Sequence, residues 1–160
     1  MRIEKLRGQR IYLDSNALIY AIETDAATQP AAVRSLLQAV SSSEVQAFVS
    51  PIVRAEVLVQ PLRSGNDRLA EIYRTMLARP GPIAIISVDD AVADLSAELR
   101  AKHRGLKLAD ALHLAAALSV GCHAFITGDK RIKTAARRRI AVLSFEDLSE
   151  RHVPRDQTRL

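Results

Sequence analysis

The sequence predicts an α/β fold, a three-layer α/β/α sandwich around a central, mainly parallel sheet. Three observations predict it: short apolar runs recur along the chain, stretches of helical spacing separate them, and polar or acidic residues follow the runs directly. Parallel strands need helical crossovers, and a sheet covered on both faces reads as apolar along each strand. With 160 residues the chain has room for one domain that buries roughly 70% of its unfolded surface, and no room for two. The single domain is assigned to residues 1–150, with 151–160 as a short basic C-terminal tail.

The first strand is the run Ile11, Tyr12, Leu13, which ends at Asp14-Ser15-Asn16; Ala17, Leu18, Ala21 and Ile22 then follow at helical spacing. Pro30 opens a second helix with Val33, Leu36, Leu37 and Val40 on one face. Val45 to Val49 is the second strand. Ser50 is the expected N-cap of a helix starting at Pro51 and carrying Glu56, with a break at Pro61 and Ser64-Gly65-Asn66. A helix from Asp67 to Arg79 stops at Pro80-Gly81-Pro82, and Ile83 to Ile86 forms a continuous apolar strand. Ser87 to Asp90 cap a helix reaching His103, and Leu108 to Val120 make an Ala-rich helix with Asp110 in its first turn. His123 to Thr127 is a buried strand ending at Gly128-Asp129; a basic helix from Lys130 to Arg138 and a last strand from Ile140 to Leu143 complete the pattern.

Composition narrows the function classes. Lys and Arg number 23 against 18 Asp and Glu, so the net charge of +5 favours a polyanionic partner such as nucleic acid. Aromatic residues make up only 4% and Trp is absent, which disfavours recognition on an aromatic base-stacking platform. The lone Cys122 permits no internal disulfide and no cysteine zinc cluster, so a cytoplasmic protein is expected. Ala111 to Gly128 contain no Asp, Glu, Lys or Arg, yet His113, Ser119, His123 and the stop at Gly121 argue for a buried helix and strand, not a membrane span.

In open parallel sheets ligands bind at the carboxyl ends of the strands. Asp14 and Asp129 fall at that edge, and Glu56 and Asp110 lie near the starts of helices that follow loops, where they can reach it. Two carboxylates about 4 Å apart repel by on the order of 4 kcal/mol at an effective dielectric near 20, so convergence calls for a counter-charge. Magnesium or manganese meets that need with hard oxygen ligands and would activate water toward phosphorus without a protein nucleophile. None of the G-x-S-x-G, G-x-x-x-x-G-K or G-x-G-x-x-G motifs is present. Each acid also has a structural reading: Asp14 as a helix cap, Glu56 as a solvated helix charge, Asp110 as a partner of its helix dipole, Asp129 as a turn residue. Two features favour a ligand site. Asp110 precedes His113 by three positions in an otherwise apolar helix, and Asp129 follows Thr127 and Gly128, a hydroxyl and a close backbone approach.

These residues carry a resemblance to the PIN-domain family, and within it to VapC-type toxins of bacterial toxin-antitoxin pairs. Ile11-Tyr12-Leu13-Asp14-Ser15-Asn16 resembles the family's first strand and Asp, and Ala55-Glu56-Val57-Leu58 its Glu helix. Leu108-Ala109-Asp110-Ala111-Leu112-His113-Leu114 resembles its Asp-led Ala-rich helix, and Phe125-Ile126-Thr127-Gly128-Asp129 its strand and Thr-x-Asp. The pattern departs at Val53, where many members have Thr or Ser, and at Gly128, where a polar residue is common. The resemblance implies a ribonuclease in which Asp14, Glu56, Asp110 and Asp129 coordinate Mg2+ or Mn2+, while Ser15, Asn16 and Thr127 orient the acids or water. It further implies an RNA substrate, a cognate antitoxin protein and a homodimer. His113 reads either as a contact to substrate or as a hydrogen-bonded structural histidine. The basic runs Arg100-Lys102-Arg104-Lys107 and Lys130 to Arg139 flank the proposed ligands and read as solvated faces or as phosphate-steering surfaces. The alternative is a non-catalytic PIN-like module that binds RNA or protein without cutting.

Overall fold

The computed structural model of the chain describes residues 3–149. After a short 3-10 turn at Ile3–Leu6, the chain runs β1 (Arg10–Leu13), α1 (Ser15–Glu23), α2 (Ala31–Ser41), β2 (Gln46–Val49), α3 (Pro51–Ser64), α4 (Asp67–Met76) and β3 (Ile83–Ile85). It continues through α5 (Asp90–Lys102), α6 (Leu108–Ser119), β4 (Ala124–Ile126), α7 (Lys130–Ala135), β5 (Ala141–Leu143) and α8 (Phe145–Ser149). The strands form one sheet in the order β3-β2-β1-β4-β5, and every pairing is parallel. The α/β/α sandwich expected from the alternation is the architecture found, with helices packed on the sheet.

That order matters for the site. From β1 the chain steps outward to β2 and β3, then returns across β1 to place β4 on its other side. The direction of winding therefore reverses between β1 and β4, which leaves a crevice at their carboxyl ends. Ile11 of β1 pairs with Ala47 on one side and Ala124 on the other, so Asp14 and Thr127 emerge from neighbouring strands one step beyond the register. Ile11, Tyr12, Val49, Phe125 and Ile126 are fully buried, as expected of strands covered on both faces.

Several expected boundaries shift, each for a local reason. Pro61 does not break its helix: α3 runs through it to Ser64, with Pro61 buried, and ends where Gly65 takes the left-handed conformation at φ 68°. The helix after Asn66 stops at Met76, short of Arg79. The basic helix stops at Ala135, because Arg138 has φ 67° and cannot continue a right-handed helix. Ile83–Ile85 is an edge strand with Ala84 exposed, so it is not buried throughout. Pro30 sits at the N-cap of α2 and not inside it. The 3-10 turn and α8, which packs against α2, were not expected from the pattern. The assigned tail, residues 151–160, lies outside the described residues. Among the described residues, no helix is long and apolar enough to cross a membrane.

Candidate active site

Asp14 ends β1 and caps α1. Its backbone is extended, its Oδ1 accepts from Ser15 N–H at 2.8 Å, and Thr127 Oγ1 donates to its Oδ2 at 2.7 Å. The side chain is nearly inaccessible, at 4% exposure for the residue. Burial pushes the Asp14 carboxyl above its ordinary value; the bonds from Thr127 and Ser15 and the proximity of His113 only partly oppose this, and Glu56 adds to it. A carboxylate so placed has its charge incompletely compensated.

Glu56 reaches the same spot from α3. Its Oε2 accepts from the Ser15 hydroxyl and stands 3.0 Å from His113 Nε2. The bond to His113 is the main reason its carboxyl is held below the ordinary range, with Ser15 helping and burial opposing. The two neighbouring acids are thus pushed in opposite directions, a pattern found where carboxylates take different roles. His113 Nε2 also lies 3.9 Å from Asp14 Oδ1, so one imidazole faces both acids. His113 is itself 1% exposed, which fits the hydrogen-bonded histidine and leaves it no surface for substrate.

Asp129 caps α7 on the neighbouring strand's exit. Its backbone N–H donates to Thr127 Oγ1 at 3.0 Å, so one threonine hydroxyl ties Asp14 to Asp129 across the crevice. Its carboxylate is clasped by Arg131, with Nε 3.1 Å from both oxygens and a terminal nitrogen 2.5 Å from Oδ2. Those bonds hold the Asp129 carboxyl below its usual range, and Lys107 adds to the effect.

Asp110, in the first turn of α6, is different again. Its Oδ2 is buried without a hydrogen-bond partner, although Arg131 is near enough to feel its charge. A buried carboxylate oxygen without a donor is costly unless something else compensates it.

Three of the acids therefore form a chain of contacts, Glu56 to Ser15 and His113, these to Asp14, and Asp14 through Thr127 to Asp129, while Asp110 Oδ2 bonds to none of them. Among the described residues, no three His, Cys, Asp or Glu side chains lie close enough together to hold a metal ion by themselves. Magnesium needs no such cage, since it is commonly held by one or two carboxylates and keeps several waters. The donor set is all hard oxygen, and the orphaned Asp110 oxygen is the group a cation would satisfy. Beside these acids lies a cleft of about 690 Å³ lined by Asn16, Tyr20, Thr127, Asp129, Lys133 and Phe145, among others. Asn16 is exposed there; Asp14, Glu56 and Asp110 are not among its lining residues.

The PIN-domain family profile matches residues 11–138, a span holding all four acids. The chain belongs to the PIN-domain family. In fold this PIN domain is similar to DNA-bound VapBC from Salmonella typhimurium, with a TM-score of 0.69 and 16% identity over 86% of this chain and 98% of that one. It is likewise similar to FitAcB from Neisseria gonorrhoeae, with a TM-score of 0.63 and 21% identity over 85% and 98%. A third likeness is to VapC20 of Mycobacterium tuberculosis, described as a sarcin-ricin loop cleaving toxin, with a TM-score of 0.62 and 17% identity over 78% and 94%. No curated protein matches the chain significantly.

Two participants in this PIN site escaped the sequence reading. Arg131 was part of a basic run, and nothing in its spacing set it apart from Lys130 or Lys133. Tyr12 was a strand residue, although a tyrosine within a fully apolar strand carries a hydroxyl that must find a partner. That partner is His113 Nδ1, at 2.8 Å.

Proposed function

We propose that this PIN domain is a Mg2+- or Mn2+-dependent endoribonuclease and the toxin of a toxin-antitoxin pair. The observation that carries the reading is the buried, unpartnered Oδ2 of Asp110, whose charge reaches the same Arg131 that clasps Asp129. Asp14, Asp110 and Asp129 would hold the cation, one or two of them directly and the rest through its waters, with Glu56 completing the acidic wall. When bound, such an ion supplies Lewis acidity and a more acidic water for hydrolysis of a phosphodiester.

The residues of the chain do the rest. Thr127 fixes the spacing of Asp14 and Asp129 by bonding to both. Ser15 and His113 hold Glu56 toward Asp14. Asn16 and Lys133 line the adjoining cleft, where a polar side chain and a cation suit a ribose and its phosphates. Lys107, whose charge reaches Asp129, supplies a second phosphate contact near the acids. The described likenesses to VapBC complexes and to a loop-cleaving VapC support the toxin role, an RNA substrate and a cognate antitoxin. A homodimer and a cytoplasmic setting belong to the same reading.

The test is degradation of a panel of structured RNAs with Mg2+ or Mn2+, beside Asp14→Asn and Asp129→Asn. Cleavage that requires the ion and disappears in both variants supports the reading; undiminished cleavage by either variant sinks it. A second reading, a PIN-like module that binds RNA or protein without cutting, is favoured by the Arg131 clasp, which already neutralises Asp129. RNA binding with no cleavage at any metal concentration would establish it.

A further inference from the structure

Tyr12 and Ser50 are buried beside the acids and have no part in the scheme above. Tyr12 is 0% exposed, and its ring stacks on Phe125 with centroids 5.0 Å apart and planes 18° from parallel, so its hydroxyl has little freedom. That hydroxyl lies 2.8 Å from His113 Nδ1, accepts from Ser50 N–H at 3.1 Å and stands 3.0 Å from Ser50 Oγ. Ser50 begins α3 without a side-chain capping bond, because its hydroxyl is turned inward to Tyr12 instead.

The protons can be assigned by what each atom is able to do. An ionised Glu56 only accepts, so the contact at 3.0 Å requires the proton to be on His113 Nε2. On a neutral ring Nδ1 is a lone pair, and the Tyr12 hydroxyl, 2.8 Å away, is its nearest donor. Burial raises the Tyr12 phenol well above its ordinary value, so that proton stays on oxygen. The Tyr12 oxygen in turn accepts from Ser50. The Ser50 hydroxyl stands 3.0 Å from the Tyr12 oxygen and 3.4 Å from Nδ1, so Ser50, Tyr12 and His113 form one cluster that ends on Glu56.

We propose that Tyr12 and Ser50 are positioning residues that fix His113 as its Nε2–H tautomer and thereby hold the Glu56 carboxylate against Asp14. The inference rests on reading Glu56 as a member of the acidic wall. Glu56 needs such a hold: it comes from α3, its side chain is 40% exposed, and a free glutamate rotates away from two like charges. The relay anchors it to β1, the same strand that delivers Asp14.

The experiment is a long-range 1H–15N correlation spectrum of the histidine rings in uniformly labelled protein, with magnesium affinity measured by calorimetry on the same samples. Wild type should show His113 protonated at Nε2 and unprotonated at Nδ1. Tyr12→Phe keeps the stacking on Phe125 and should yield mixed tautomers and a magnesium affinity weaker by a few-fold, less than the roughly tenfold that loss of a ligand's direct partner costs. Ser50→Ala should act in the same direction but less. A proton on Nδ1 in wild type, or a Tyr12→Phe spectrum and affinity unchanged from wild type, would overturn the proposal. RNA left intact by the wild-type protein would instead count against the nuclease reading, while the tautomer would still decide the relay.

Discussion

Thr127 offers the sharpest test of how the site is assembled. Replacing it by Val keeps the shape and removes a hydroxyl that donates to Asp14 Oδ2 at 2.7 Å and accepts from Asp129 N–H at 3.0 Å. Loss of a bond to a charged group costs about 1.5–3 kcal/mol, and a stranded donor about 1–3 kcal/mol. Asp129 is only half-buried, so water recovers part of the second cost, and about 2–4 kcal/mol is expected in total. For a chain of 160 residues that is a fall in Tm of about 5–15 °C. Thr127→Ser keeps both bonds and gives up one buried methyl, about 1 kcal/mol. Thermal melts of the metal-free proteins should therefore place Ser well above Val. The Val deficit should also shrink as the pH falls through the raised range of Asp14 toward 3.8, because the lost bond favours the ionised carboxylate. Equal losses for Ser and Val, or a Val variant as stable as wild type, would show that the hydroxyl does not join the two strands.

Other outcomes follow from the charges around the pocket. Folded Asp14 binds its proton more tightly than the unfolded chain does, so the metal-free fold loses stability as the pH rises from 3.8 through the raised folded value. Asp14→Asn has no such loss, and its Tm should gain on wild type across that interval; a gap that moves the other way refutes the assignment of Asp14 as an undercompensated charge. Arg131→Gln should let the Asp129 carboxyl return toward 3.8 in a carbon-detected titration and should tighten magnesium binding, since the guanidinium and the ion seek the same oxygens. Weaker magnesium binding would mean that Arg131 organises the ligand instead of competing with the ion. Lys107→Ala should weaken RNA association and lower the slope of log K against log salt by about 0.7, the contribution of one phosphate contact on a single strand; an unchanged slope removes Lys107 from the interface.

Much of the fold was readable because its signals are local. Ile11-Tyr12-Leu13 followed by Asp14, and Phe125-Ile126-Thr127 followed by Gly128-Asp129, each announce a buried strand and the polar residues at its carboxyl end. What local patterns do not encode is which strands are neighbours. Reversal of the winding between β1 and β4 brings Thr127 onto Asp14 across 113 positions of sequence, a contact that neither motif announces by itself. The misplaced ends have the same origin. Pro61 punctuates a sequence, but packing buries it inside α3, and the reversal of φ at Arg138 stops α7 with no Gly or Pro to mark it.

The relative standing of the acids changes for a similar reason. From sequence, Glu56 rested mainly on the resemblance, which departs at Val53 three residues before it, and it also read as a solvated helix charge, whereas Asp129 sat beside a telling threonine and glycine. In three dimensions Glu56 is joined to Asp14 twice, through the Ser15 hydroxyl and through His113, and both joints are made by groups from other elements. Asp129 instead has its carboxylate closed by an arginine two residues along its own helix. A short-range partner of that kind costs little to form and little to open, since Arg131 is exposed and can swing into water. The long-range joints at Glu56 tie α3 to α1 through Ser15 and to α6 through His113. The pocket accordingly has a tied side, Asp14 with Glu56 behind it, and an adjustable side, Asp129 under its arginine, and on the proposed reading it is at the adjustable side that a cation or phosphate would have something to displace.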